Sequence, residues 1–284
     1  MTYSYSEPFP MREVPNSLIS QIADRLHVYS TALFKIWIDD RGDHQSKQIG
    51  SGTFISIQEA NGVLTAQHVA ECLSAPHMLG LSVAREGEEH AMSVERNSFR
   101  IIEVARPEIE EYGPDLAYIV LANWNDVSTI KASRTFHPLD PDRAELLNNP
   151  PPQDAGIWLF CGAPEETMVK EESERGFLGI MSYQDLCLAG GPSLTCERGH
   201  FDYYDMDADE NAQIPTSYAG MSGGGLWQVI VGQTSSGSLV PARYLFSGVS
   251  FYQGVRSNGI RFMRCHGRRS VYEHGFAAVK DLSG

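Results

Sequence analysis

The chain has 284 residues, 42% of them hydrophobic and 20% charged, and a formal net charge of −14. That length suits one large domain or two of moderate size, and burial of roughly 75% of the unfolded surface lets such a chain fold without staples. The acidic balance argues against nucleic acid or an anionic membrane as the main partner. The five cysteines, Cys72, Cys161, Cys187, Cys196 and Cys265, lack zinc-site spacing and read as buried free thiols in a reducing compartment. The N-terminus has no charged-then-apolar signal layout, and no apolar run approaches the ~20 residues needed to span a bilayer. A cytoplasmic protein is the expectation.

In chain order, Asn16 to Tyr29 is the first periodic segment. Leu18, Ile19, Ile22, Leu26 and Val28 form an apolar stripe at helical spacing, with Asn16 or Ser17 as the expected cap. Strand-like runs follow: "TALFKIWI", "GSGTFISI", "NGVLTAQHV", "SFRIIEVA" and "DLAYIVLA", with Asn61-Gly62 as a hairpin signal. The stretch 123–153 is rich in Pro, Asn and Asp and reads as a linker or long surface connection. Strands resume in "AGIWLFCGAP", "GFLGIMSY", "GGGLWQVIVG", "YLFSGVSFYQ" and "GIRFM", and "RRSVYEHGFAAVKDL" reads as a terminal helix. Strands in two groups without interleaved helices predict an all-β protein built from two antiparallel units.

Three features carry chemistry. Ser222 lies in "TSYAGMSGGGLWQV", where glycines let backbone N–H groups approach a substrate carbonyl; such turns are also common without chemistry. A serine hydroxyl needs a base, and among nine histidines His68 stands out, at the end of an apolar strand-like run. His77, His90, His137, His200, His266 and His274 read as surface residues in polar surroundings, and His27 and His44 belong to a helix and a charged turn. Asp115 immediately precedes an almost wholly apolar strand, and a carboxylate entering a core needs a partner to offset its desolvation. Each feature alone has a plain structural explanation; the three in the order His, Asp, Ser outweigh it.

"TAQHV", "DLAYI" and "GMSGGGLW" resemble the histidine, aspartate and serine motifs of trypsin-like, chymotrypsin-fold serine peptidases, most like their bacterial intracellular branch. The resemblance runs roughly from Leu33 to Met263 and includes "GSGTFI", "IWLFCGAP" and "SGVSFYQG". It implies two six-stranded antiparallel β-barrels, at 31–122 and 154–264; the periodic and Pro-rich segments outside them are then a helical extension at 1–30, a linker at 123–153 and a C-terminal helix at 265–284. It assigns Ser222 as nucleophile, His68 as general base and acid, Asp115 as orienting carboxylate, and Gly220 with Ser222 as oxyanion hole. Val249, Ser250 and Phe251 are expected to pair with an extended peptide. Thr216, six residues before the serine, stands at the specificity position and carries no charge, so cleavage after Arg or Lys is not implied. Met221 replaces the aspartate usual in secreted members, so a released N-terminal ammonium has no counter-ion. No cofactor and no metal are implied. A protein or peptide substrate is expected, a dedicated partner protein among them.

Other readings compete. A catalytically silent scaffold that binds a peptide or partner is the alternative function. "GMSGG" also fits the α/β-hydrolase elbow, but the required order of serine, acid and histidine is missing. Asp205, Asp207 and Asp209 have the spacing of a calcium loop, yet Glu210 and Thr216 stand where glycine and glutamate are needed. The acidic run from Asp202 to Glu210 therefore reads as a solvated loop.

Overall fold

The computed structural model describes residues 14–73, 77–83, 91–107, 109, 112–167, 169–172, 178–182, 186–207 and 217–280. It opens with helix α1 (Asn16–His27), which buries Leu18, Ile22 and Leu26. Its cap is Pro15, without a side-chain bond, rather than Asn16 or Ser17. The fixed φ of proline sets the entry, and the Leu18 and Ile19 N–H groups both reach the Pro15 carbonyl.

The first sheet contains β1 (Ser30–Ile38), β2 (His44–Ile57), β3 (Ala60–Thr65), β4 (Met78–Ser82), β5 (Ala91–Val94), β6 (Phe99–Ala105) and β7 (Leu116–Leu121). Their spatial order is β5-β4-β1-β2-β3-β7-β6, and the short β8 (His137–Pro138) lies parallel to β2. The second group opens with β9 (Ile157–Gly162), followed by a separate two-stranded pair, β10 (Val169–Glu172) and β11 (Leu178–Ser182). Next come β12 (Leu186–Gly190), β13 (Pro192–Arg198), β14 (Phe201–Asp207), β15 (Gly225–Gln233), β16 (Leu239–Val255) and β17 (Arg261–His266). Their order is β12-β9-β15-β16-β17-β14-β13.

The all-β class holds, but the closed six-stranded barrels do not. The sheets have eight and seven strands, and among the described residues neither pairs its two edges. The edges that would have to meet are β5 and β6 in the first sheet and β12 and β13 in the second, and among the described residues each of them pairs on one side alone.

Local corrections have equally local causes. The hairpin joining β2 and β3 turns at Gln58-Glu59, because Ile57 pairs with Ala60; Asn61 and Gly62 lie within the strand. Gly62 is needed there for space: a Cβ would fall 2.7 Å from the Tyr118 ring. The stretch 123–153 is no bare linker. It forms α3 (Trp124–Lys131), capped by the Asn123 side chain, and α4 (Asp140–Asn148), and it buries Val127, Ile130 and Leu146. The terminal helix begins as a wide π-type turn at Ser270–Gly275 and continues as α5 (Phe276–Lys280), while Cys265 and His266 still belong to β17. Of the cysteines, Cys161 and Cys265 are buried as expected, Cys196 is half-buried and Cys72 is exposed.

One core spans both sheets, with Ile55, Leu64 and Tyr118 of the first meeting Leu159, Trp227 and Phe246 of the second. Tyr29, between α1 and β1, stacks on Trp227 with ring centroids 5.3 Å apart. His137 contacts both, at 5.3 Å from Tyr29 and 4.9 Å from Trp227. It is buried rather than on the surface, and so is His266.

Burial pulls His137 down from 6.5 to about 4, with Arg25 adding to the effect, and burial pulls His266 down to about 4 as well. Both rings are therefore neutral in the folded chain and bind protons more readily when it unfolds. The contribution of these two rings to stability is full above about pH 6.5 and declines as pH falls toward 4, by at most about 1.4 kcal/mol per pH unit for each ring. Urea unfolding of His137→Phe should show a shallower loss across this window than the native chain. An unchanged slope would assign the acid sensitivity to other groups.

Candidate active site

Strand pairing explains how residues 47 apart in sequence come together. The last rung between β3 and β7 is Thr65 with Ala117. From there the chain runs three residues on to His68, in the short helix α2 (Gln67–Glu71), and two residues back to Asp115. The Asp115 carboxylate is wholly buried and accepts two bonds, both from His68: the main-chain N–H to Oδ1 at 2.9 Å and Nδ1–H to Oδ2 at 2.5 Å. A carboxylate can only accept, so the contact puts the ring proton on Nδ1 and leaves Nε2 unprotonated in the neutral ring. The His68 side chain is 35% exposed, so the pair joins a dry acid to a reachable imidazole.

The Ser222 turn is pinned from both sheets. The Ser222 carbonyl accepts from Ser51 N–H at 2.7 Å, and the Gly223 N–H donates to the Ser250 carbonyl at 2.7 Å. The Ser250 hydroxyl reaches the Met221 carbonyl at 2.8 Å. Gly223 has φ +90, and a Cβ there would lie 2.1 Å from both the Ser51 carbonyl and the Thr65 hydroxyl, so no side chain fits. Gly50 is the meeting point of the two machineries. A Cβ on it would lie 2.6 Å from Val69 Cγ2, the neighbour of His68, and 2.8 Å from the Ser222 carbonyl oxygen.

Gly220 stands at φ +88 in the same turn. Among the described residues, neither the Gly220 nor the Ser222 N–H donates to a protein acceptor, whereas the intervening Met221 N–H bonds the Tyr218 carbonyl. The Met221 side chain is fully buried with Trp158, Phe160, Tyr204 and Leu226. Apolar packing therefore holds the centre of the turn, without a counter-ion.

The residues expected to meet a peptide are placed differently from one another. Val249 pairs on both sides, with Gly225 and His266. Ser250 has its N–H on the Gly224 carbonyl and its carbonyl on the Gly223 N–H, so its main chain is taken up by the serine turn. Phe251 falls in the bulge between Ser250 and Tyr252 with its ring buried. Among the described residues, β15 begins opposite Val249, and the side of β16 facing away from β17 has no strand neighbour from Phe251 onward. Thr216 lies outside the described residues.

The acidic run is not a loop where it is described, because Asp202, Asp205 and Asp207 lie on β14. Asp205 is buried against the Arg264 guanidinium at 2.8 Å, and Asp207 meets Arg256 at 2.8 Å. Asp202 accepts from the Arg269 and Ser270 N–H groups and so caps the terminal turn. These partners are cations or N–H groups far along the chain, which the acidic spacing alone does not reveal. Asp209 and Glu210 lie outside the described residues.

Two site residues had no separate signal in the sequence. Ser51, inside the "GSGTFI" strand, donates its hydroxyl to the Gly220 carbonyl at 2.7 Å and accepts from the Ala163 N–H at 2.8 Å. His266 accepts the Asp115 N–H at its Nε2, at 2.9 Å.

No protein-family model matches the chain, and no curated protein matches it by sequence. One solved structure, described by its work on aromatic interactions that drive coupled folding and binding of the intrinsically disordered Sesbania mosaic virus VPg protein, superposes with a TM-score of 0.45. That match has 20% identity and covers 87% of this chain and 88% of the other. At that score the likeness identifies neither fold family nor activity.

Ser51→Ala removes two side-chain bonds and leaves the buried Ala163 N–H without its acceptor. A loss of about 1–3 kcal/mol in unfolding free energy is expected. An unchanged denaturant midpoint would mean that Ser51 does not hold the turn.

Proposed function

We propose that this chain is a serine endopeptidase of the chymotrypsin-like type, cleaving a protein substrate through an acyl-enzyme. The observation that carries the reading is the buried Asp115 carboxylate, doubly bonded by His68, whose helix meets the Ser222 turn at Gly50. A carboxylate fully desolvated for one imidazole is the arrangement that fixes a tautomer and favours the imidazolium during proton transfer.

In this reading the Ser222 hydroxyl attacks the scissile carbonyl while His68 Nε2 takes its proton. The N–H groups of Gly220 and Ser222 hold the oxyanion, and His68 returns the proton to the leaving amine. Water then repeats the sequence on the ester. The burial of Met221 supports an oxyanion loop that is shaped without a released N-terminal ammonium, so the chain needs no N-terminal trimming. An extended substrate lies along β16 from Phe251 to Gln253, on the side away from β17, where that strand has no strand neighbour among the described residues. No helix among the described residues is long and apolar enough to cross a membrane. A cytoplasmic site of action and a dedicated protein substrate belong to the same proposal.

A peptide-binding scaffold without chemistry would use the same β16 edge, so turnover separates the two readings. Ser222→Ala and His68→Ala should each reduce hydrolysis of a peptide library by several orders of magnitude with the fold retained, and the double variant should be little worse. The rate should also fall on acidification, as protonation of His68 Nε2 removes the acceptor for the serine proton. Near-native turnover by Ser222→Ala would end the peptidase reading.

A further inference from the structure

The main-chain N–H of Asp115 lies just before β7 and outside its ladder, so it must find an acceptor elsewhere. It finds His266 Nε2, 151 residues away, at 2.9 Å. The bond crosses from the first sheet to the second. His266 also lies in a row of paired residues: Gly225 faces Val249, Val249 faces His266, and His266 faces Tyr203. Gly225 follows Ser222 by three residues. The imidazole therefore sits two strand spacings, about 10 Å, from the strand that the serine turn leads into, and reaches back to the acid.

We propose that His266 is a positioning residue of the triad, a neutral imidazole that sets the Asp115 main chain, and with it His68, at a fixed distance from the Ser222 turn. The proposal rests on the peptidase reading given above.

The surroundings explain why the ring can serve as this spacer. It is fully buried, with ring centroids 4.7 Å from Phe251, 5.3 Å from Tyr203 and 5.9 Å from Phe201, so its orientation is set on several sides. The same Phe251 and Tyr203 rings pack against Gly113, where a Cβ would come within 3.1 Å and 3.2 Å of them, so one aromatic group holds both ends of the bond. Accepting an N–H requires a lone pair on Nε2, which the cation lacks. The carboxylates of Asp115 and Asp202 favour the cation and His274 opposes it, but burial is the largest effect and keeps the ring neutral near pH 7. Nδ1 has no hydrogen-bond partner among the described residues, so nothing on that side secures a charge.

Three variants of the full chain separate positioning from packing. His266→Gln keeps an acceptor near the Nε2 position; His266→Phe keeps the ring without the acceptor; His266→Asn is polar but too short. For a peptide that the native chain cleaves, His266→Phe should lower kcat roughly ten- to hundred-fold with KM unchanged, the size expected when reacting groups drift by about 1 Å. His266→Gln should stay within about threefold of native. The proton NMR signal of His68 Nδ1–H, which reports its bond to Asp115, should shift in the Phe variant and hold in the Gln variant. Native kcat and an unmoved signal in His266→Phe would overturn the proposal, as would Gln and Phe variants that fall equally. If the Phe variant does not fold, Asn against Gln makes the same comparison, and equal losses overturn it. If the native chain cleaves no peptide, the peptidase reading fails by itself, and the NMR signal alone decides whether His266 positions the pair.

Discussion

A carboxylate with no exposure to water governs this structure. Asp115 loses its hydration on folding, a cost of several kcal/mol unless its oxygens and its N–H are satisfied. His68 supplies both bonds to the oxygens and His266 takes the N–H. The first requirement explains why α2 starts where β3 ends, and the second ties β7 of the first sheet to β17 of the second. Local geometry around the acid therefore depends on the two sheets being packed together.

The serine turn shows the same dependence from the other side. Ser222 belongs by sequence to the second sheet, but its carbonyl is bound by Ser51 of the first, and Ser51 also holds Gly220. Neighbouring backbone and side chains press on this segment so closely that glycine is the residue that fits at Gly223, Gly224 and Gly225. Crowding by the first sheet thus accounts for part of the glycine run, apart from any need to admit a substrate. Met221 fills the core behind the turn, and its carbonyl is bound by Ser250. An arrangement fixed from both sheets has little freedom to rearrange, which suits a site whose donors must be in place before charge develops.

Much of this was legible in the chain. Asp115 before an apolar strand and His68 after one are signals within a few residues, and the glycine-flanked serine is another. Helix α1 and most strands were likewise visible from periodicity. What escaped were partnerships over long sequence distances. Ser51 lies 169 residues from Gly220, and His266 lies 151 from Asp115, and the neighbours of neither in sequence point to its partner. His266 and His137 read as surface residues because their neighbours in sequence are polar, while aromatic rings from other strands enclose them. The stretch 123–153 read as loop because its prolines and asparagines cap and start helices as readily as they break them. Sheet closure depends on whether two edge strands far apart in sequence pair, which residue patterns do not specify.

The claim that the acid, the imidazole and the serine act as one nucleophilic unit is tested most directly by a fluorophosphonate probe, read by intact mass and peptide mapping. The account predicts a single adduct on Ser222 in the full-length chain, formed far more slowly in Asp115→Asn, where the His68 ring loses its anionic partner. No adduct on the folded native chain, an adduct on a different serine, or labelling of Ser222 at an unchanged rate in Asp115→Asn would contradict it.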